Sequence, residues 1–307
     1  MGAVQPVCKS CGQPIWGNYL RALGATWHPE HFICAGCGQI IQGSSFQVHQ
    51  GFPYHIECYN RQIAPRCVYC NKPLVGEFLI DYWGQKFCRE HEKQFPHCAY
   101  CGRLVPPQQQ EHNAEVIRCP VCRSTAIEGS AEAKPLFSRV IRWMNSQGLI
   151  YNNLRLSLDL CGRAHLNNLL REGNIGHSLG ATTSAMYTQN GRLLRTEING
   201  IAVLQGLPAI LFQGVTIHEL GHVWLIVTGV HQLPTWAEEG FCELLSYRYY
   251  QDANTPEGRY HSLSKEHNVD PIYGDGFRRM RALVDRVGFP CLIETLRTTK
   301  RLPAPKS

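Results

Sequence analysis

The sequence predicts an α+β protein in two parts: a string of small metal-stabilised modules, then a larger domain with a buried helix under a small antiparallel sheet. Three features carry that prediction. Cysteines recur in two-residue-gapped pairs through residues 8 to 122. The apolar stretch from Pro208 to Thr228 carries His218, Glu219 and His222. Two alternating segments, Ala181 to Thr188 and Leu193 to Ile198, flank Asn190-Gly191, a type I′ hairpin signal.

Fifteen cysteines in 307 residues, with no apolar segment near the N-terminus to act as a signal peptide, point to metal in a reducing compartment, the cytoplasm, rather than to disulfides. The pairs are Cys8/Cys11, Cys34/Cys37, Cys67/Cys70, Cys98/Cys101 and Cys119/Cys122; Cys58 and Cys88 are completed by His55 and His91, and His28/His31 adds one more. Taken in order, they make four tetrahedral zinc sites. Cys8, Cys11, His28 and His31 form the first, and Cys34, Cys37, His55 and Cys58 the second. Cys67, Cys70, Cys88 and His91 form the third, although His97 and His112 compete with His91 on spacing alone. Cys98, Cys101, Cys119 and Cys122 form an all-thiolate fourth. Cys161, Cys242 and Cys291 stand alone in apolar surroundings and are expected as buried, inert thiols, with Cys242, one turn from Glu239, the most sensitive to oxidation.

The helix after Pro208 is expected from its apolar run and from the Gly229 stop. Its His218-Glu219-Leu220-Gly221-His222 segment puts two imidazoles on one helix face with Glu219 beside them. Burying such groups among Ile217, Leu220, Val223 and Trp224 is costly unless they bind something. A third ligand is expected from Thr235-Trp236-Ala237-Glu238-Glu239-Gly240. Thr235 as N-cap would occupy Glu238 at the third helical position, leaving Glu239 to face a catalytic zinc and Glu243, one turn on, to accept a hydrogen bond from a ligating imidazole. The chemistry this supports is a zinc-bound water with Glu219 as general base. An oxyanion donor is available among Tyr187, His231, Tyr247, Tyr260, His261 and Tyr273.

The formal charge of +6 invites a nucleic-acid reading, but ligand thiolates and bound zinc bring it to about +4. No run of Lys or Arg longer than a pair appears, so nucleic acid is not an expected partner. Membrane spanning is not expected either, because Ile201 to Thr228 is interrupted by Gly206, Pro208, Gln213 and the ionisable motif. The Gly2 context also lacks the hydroxyl residue of a myristoylation signal, having Pro6 instead. Phe137, Val140, Ile141 and Met144 mark an amphipathic helix ending at Gly148, and Leu154, Leu156, Leu158 and Leu160 alternate like a half-buried strand. Thr182 to Ala185 is a candidate strand edge for an extended substrate.

Trp27-His28-Pro29-Glu30-His31-Phe32-Ile33-Cys34 resembles the core of a LIM domain, with His31 and His55 where Cys is usual. Residues 1–62 are then expected as a LIM domain and 63–124 as a LIM-like domain, with a linker over 125–134. A zinc metallopeptidase domain of gluzincin type would cover 135–300, and 301–307 a flexible tail. Trp236-Ala237-Glu238-Glu239-Gly240 resembles the Trp-x-x-Glu-Gly segment of gluzincins, in which the Glu before Gly is the third zinc ligand. With Ile201 to Pro208, His218 to His222 with Trp224, and Glu238 to Cys242, nearly the whole chain resembles the ubiquitin-activated LIM peptidases of plants called the DA-one family. That resemblance implies His218, His222 and Glu239 as zinc ligands, Glu219 as base, and ubiquitin or ubiquitinated proteins as partners. Plant members carry ubiquitin-interacting helices ahead of the LIM domain, whereas here Cys8 already opens the first site, so activation through such helices is not expected.

The function expected is a zinc-dependent protein endopeptidase acting on protein substrates, its LIM modules serving recognition or regulation. The alternative is a non-catalytic LIM adaptor with a peptidase-like binding domain, and exopeptidase action ranks lower for want of an amine-anchoring motif. The chain should purify with about five zinc ions, four structural and one exchangeable. Elemental analysis before and after mild chelation checks this, and a count of one or none would remove the array.

Overall fold

The computed structural model describes residues 5–112, 114–151, 154–170, 178–189 and 192–304. Two compact units divide the chain, Met1–Pro96 and His97–Ser307.

In the first unit, strands of two or three residues alternate with Cys-x-x-Cys turns. β1 (Leu20–Ala22) pairs with β2 (Ala25–Trp27), β3 (Gln47–His49) with β4 (Phe52–Tyr54), and β5 (Leu79–Ile80) with β6 (Lys86–Phe87), all antiparallel. Helix α1 (Ile56–Gln62) begins after His55 and α2 (Arg89–Gln94) after Cys88, so each helix start carries a metal-ligand type. The apolar core here is small: Phe32 and Ile41 are buried, with Trp27 and Phe46 edge-on to Phe32 at 5.6 and 5.1 Å between centroids. A core of that size is marginal without a staple such as metal.

The second unit starts with the fourth Cys group. Helix α3 (Pro120–Ser124) is capped by Cys119, whose Sγ accepts from the Cys122 amide at 3.4 Å. It runs directly into β7 (Ala126–Ile127), followed by α4 (Ser130–Ser146), β8 (Leu158–Cys161), α5 (Arg163–Leu169), β9 (Gly180–Gln189), β10 (Arg192–Leu204) and β11 (Leu207–Pro208). Helices α6 (Ala209–Val227), α7 (Thr235–Ala253), α8 (Pro256–Glu266), α9 (Tyr273–Val287) and α10 (Phe289–Thr299) complete it. β9 and β10 form an antiparallel pair with Arg192 opposite Gln189; the Asn190-Gly191 turn itself lies outside the described residues.

Helix α6 is apolar on nearly every face, and such a helix belongs inside a domain. It is long and apolar enough to cross a membrane by composition, yet 67% of its most apolar window is buried within the protein. Ile217, Leu220, Val223 and Trp224 pack with Val140 and Met144 of α4 and with Phe241 and Leu245 of α7. Its N-terminus is tied to the fourth Cys group: Ala209 N donates to Thr125 O at 2.9 Å, and β11 pairs with β7. Arg118 adds a side-chain clamp, its Nη1 donating to Gly206 O at 3.1 Å and to Glu128 Oε1 at 2.6 Å, while Nη2 donates to Glu111 Oε1 at 2.8 Å.

Several expectations meet a different outcome. The sheet is mixed rather than antiparallel: its order is β8-β10-β9, and β8 runs parallel to β10 because α5 and β9 intervene as a crossover. Residues 125–134, read as a linker, hold β7 and the first turn of α4. Glu132 Oε2 accepts from the Glu128 and Gly129 amides at 2.8 and 3.2 Å, so the helix starts five residues before Pro135. The alternating leucines give a strand only over Leu158–Cys161. In the segment read as a tail, Leu302 packs against the core. Cys161 and Cys242 are buried, whereas Cys291 is exposed near the start of α10.

Helices α7 and α9 cross where Gly240 meets Gly276, and a Cβ at Gly240 would overlap the Gly276 carbonyl. This contact sets how closely the segment next to Glu239 approaches its neighbours. Gly240→Ala should therefore cost about 1–3 kcal/mol as an overpacked contact. At about 2–4 °C per kcal/mol, the zinc-loaded thermal midpoint should fall by several degrees, and an unchanged midpoint would mean that the helices part freely.

Candidate active site

Among the described residues, the four Cys/His groups converge as donor clusters with ligand atoms within 4.8 Å of one another. In the first, Cys8 Sγ lies 3.6 Å from His31 Nδ1 and Cys11 Sγ 3.5 Å from His28 Nδ1. In the second, Cys37 Sγ lies 3.3 Å from His55 Nδ1. Burial pushes the Cys8 thiol up, but the amides of His28, Cys11 and Ser10 outweigh it and pull the group down to about 5. Cys34 and Cys67 are brought to about 6 by the same contest. Backbone amides thus prepare these thiols as thiolates, the form that binds zinc.

The third group takes His91, whose two ring nitrogens are buried without a hydrogen-bond partner while the ring stacks on Phe95. His97 instead places Nδ1 2.9 Å from Gly102 O, and His112 is exposed. The fourth group is buried throughout, with Cys101 and Cys119 sulfurs 3.5 Å apart.

The fifth cluster lies between α6 and α7. One turn of α6 stacks His218 and His222 with ring centroids 5.0 Å apart. Their Nε2 atoms are 3.2 Å apart, and Glu239 Oε2 lies 3.2 Å from that of His218 and 3.5 Å from that of His222. The edge of a tetrahedron with 2.0–2.1 Å zinc bonds is about 3.3 Å, so the triangle has the size of three zinc ligands. Glu239 Oε2 is also buried and faces only these two ring nitrogens, without a well-formed hydrogen bond, an environment that a cation would satisfy. Cys242 Sγ falls within 4.8 Å of both imidazoles as well, but burial pushes its thiol up, whereas His218 and His222 hold Glu239 well below the carboxylate range against its burial. The ionised oxygen at tetrahedral distance is the better third donor.

Carboxylates occupy the outer nitrogen of each ring. Glu243 Oε1 lies 2.9 Å from His218 Nδ1, and Glu238 Oε1 lies 3.1 Å from His222 Nδ1. Both bonds orient Nε2 lone pairs toward the triangle. Lys265 of α8 in turn holds Glu243 Oε2 at 2.5 Å; burial raises Glu243, but Lys265 and His218 bring it down to about 2. Glu238 is thus not engaged in a capping box. Pro234 is the N-cap of α7, its carbonyl accepting from Ala237 and Glu238, and Thr235 is already helical.

These groups line a cleft of about 1020 Å³ together with Gly180, Thr182 and Ser184 of β9, Glu219, His231 and Tyr273. Of the other oxyanion-donor candidates, Tyr187 bonds Glu197, Tyr247 bonds Glu266, Tyr260 abuts Gly102 and His261 packs on Tyr250. Tyr273 has its ring centroid 6.4 Å from that of His218, and burial together with Glu239 pushes its hydroxyl up to about 12.

A LIM-domain family model matches residues 8–63, and a DA1-like model described as Protein DA1 matches residues 156–267, which hold the whole fifth cluster. The chain thus carries a LIM-domain match followed by a DA1-like match. Over most of its length the chain is similar to the plant DA1 and DA1-related proteins. It is 27% identical over 363 residues to Protein DA1 of Arabidopsis thaliana, covering 97% of this chain and 68% of that protein. It is 28% identical to Protein DA1-related 2 of the same plant, over 97% and 70%. LIM domain-containing protein HDR3 of Oryza sativa subsp. japonica is 27% identical, over 97% and 74%.

Burial pulls the His218 imidazole down, but Glu239 and Glu243 outweigh it and push it up to about 10. In the metal-free chain this raised group contributes stability that is full below about pH 6.5 and is lost as pH rises through about 10. A metal must displace that proton, so affinity should climb with pH across the same window. Zinc returned at pH 8 to chain stripped of its exchangeable ion should release about one proton or more, read by calorimetry in buffers of different ionisation enthalpy. Release of none would show an already deprotonated ring.

Proposed function

We propose that the chain is a zinc-dependent protein endopeptidase whose LIM modules recognise or regulate protein partners. The observation that carries this reading is the triangle of His218 Nε2, His222 Nε2 and Glu239 Oε2, with Glu219 lining the same cleft. A structural zinc site is closed by four protein ligands, whereas three ligands facing a cleft leave room for substrate chemistry. A zinc held there by His218, His222 and Glu239 would supply Lewis acidity and a more acidic bound water.

The chain's own groups do the rest. Glu219 takes a proton from the attacking water and returns it to the leaving amine. Tyr273, protonated across the working pH range, donates to the carbonyl oxygen as charge builds on it. β9 is the outer strand of its sheet and borders the cleft, so an extended polypeptide can add to it through main-chain hydrogen bonds. Glu238 and Glu243 keep the imidazoles in the ligating tautomer, and Lys265 keeps Glu243 ionised.

Glu219→Gln should retain the parent zinc content and lose turnover of a denatured protein substrate by on the order of 10²–10⁴-fold. Cleavage at the parent rate by the variant, with metal analysis showing equal loading, would take Glu219 out of this role. Zinc-loaded parent chain that cleaves neither native nor denatured proteins would overturn the peptidase reading as a whole.

A further inference from the structure

The wall of the cleft touches the base itself. Thr182 Oγ1 lies 2.8 Å from Glu219 Oε2 and 3.0 Å from the Glu219 carbonyl oxygen. Two residues earlier on the same face of β9, Gly180 runs so close that a Cβ there would stand 2.8 Å from Glu219 Oε1 and 2.8 Å from Val215 Cγ1. Glu219 is 7% exposed, and a glutamate at that depth needs a donor.

We propose that Thr182 is a positioning residue for Glu219, and that β9 thereby couples the seating of an extended polypeptide to the alignment of the base. This rests on the peptidase reading above. The Thr182 hydroxyl has one proton to give; directed to Oε2, it fixes the carboxylate plane, with Oε1 beside the bare Gly180 backbone. A threonine in a strand has a restricted χ1, so the hydroxyl is held where Glu219 needs it. β9 pairs on one side with β10, Thr182 opposite Ile201, and its other side borders the cleft. A substrate strand added there stiffens the backbone that carries Thr182, so occupation of the cleft and order at Glu219 rise together. A flexible glutamate without this contact would sample other rotamers, and misplacement by about 1 Å is enough to cost on the order of 10²-fold in rate.

The test compares Thr182→Val, which keeps the shape and removes the donor, with Thr182→Ser, which keeps the donor. Zinc content, kcat and KM on an unstructured polypeptide, and affinity for a non-hydrolysable extended peptide are measured for each. Thr182→Val should keep parent zinc content, KM and peptide affinity within about twofold while kcat falls by about 10–100-fold, and Thr182→Ser should recover most of it. A Val variant with parent kcat, or one whose loss lies wholly in KM and peptide affinity, would sink the proposal. So would a Ser variant as slow as the Val variant. In each of these cases the parent still cleaves and the peptidase reading stands; a parent inert when zinc-loaded overturns both.

Discussion

Two imidazoles and a carboxylate pressed within 3.5 Å of one another in a buried seam are the contact around which the second unit is arranged. Left alone, such a cluster is expensive: each group loses water, and neighbouring acidic side chains must neutralise the rings. The surrounding helices supply the compensation in layers. α7 contributes Glu239 at the centre and Glu238 and Glu243 at the ring backs, while α8 sends Lys265 to the outermost carboxylate. α9 packs against α7 where Gly240 meets Gly276, and α6 meets α7 where Gly221 faces Cys242, so nothing bulky keeps these helices apart. The apolar all-round character of α6 follows from the same requirement, since a rigid, fully packed helix is what holds two ring nitrogens at a ligand spacing.

Much of this could be read from the chain without coordinates. The i, i+4 spacing of His218 and His222 fixes their common face, and Pro208 and Gly229 bracket α6, which spans Ala209–Val227 with Gly229 at φ +76°. The regular Cys pairs state their own grouping, because two-residue gaps make a chelating turn whatever the rest of the chain does.

Other contacts left no trace in local pattern. Lys265 reaches Glu243 from 22 residues away on another helix, and Thr182 reaches Glu219 across 37. Thr235 is a favourable cap by type, which predicts a capping role for Glu238, yet Pro234 supplies the extended residue before α7 and moves the helix start by one position. With that shift, adjacent glutamates serve two histidine atoms instead of one cap and one ligand. The leucine alternation predicts a longer strand than β8 and says nothing of its direction; it reports a half-buried surface, and β8 joins the hairpin in parallel.

The fourth Cys group illustrates a difference between sequence order and mechanical order. By spacing it continues the series that begins at Cys8, but its last ligand, Cys122, lies in the short helix that leads into β7, and β7 together with Arg118 grips the residues just before α6. An oxidant or chelator acting on those four thiols therefore pulls on the same backbone that sets the axial position of His218 and Glu219. A shortened chain beginning after residue 124 would keep every group of the cleft and β7 itself, yet lose Arg118 and the Cys group that brace β7 at the foot of the central helix.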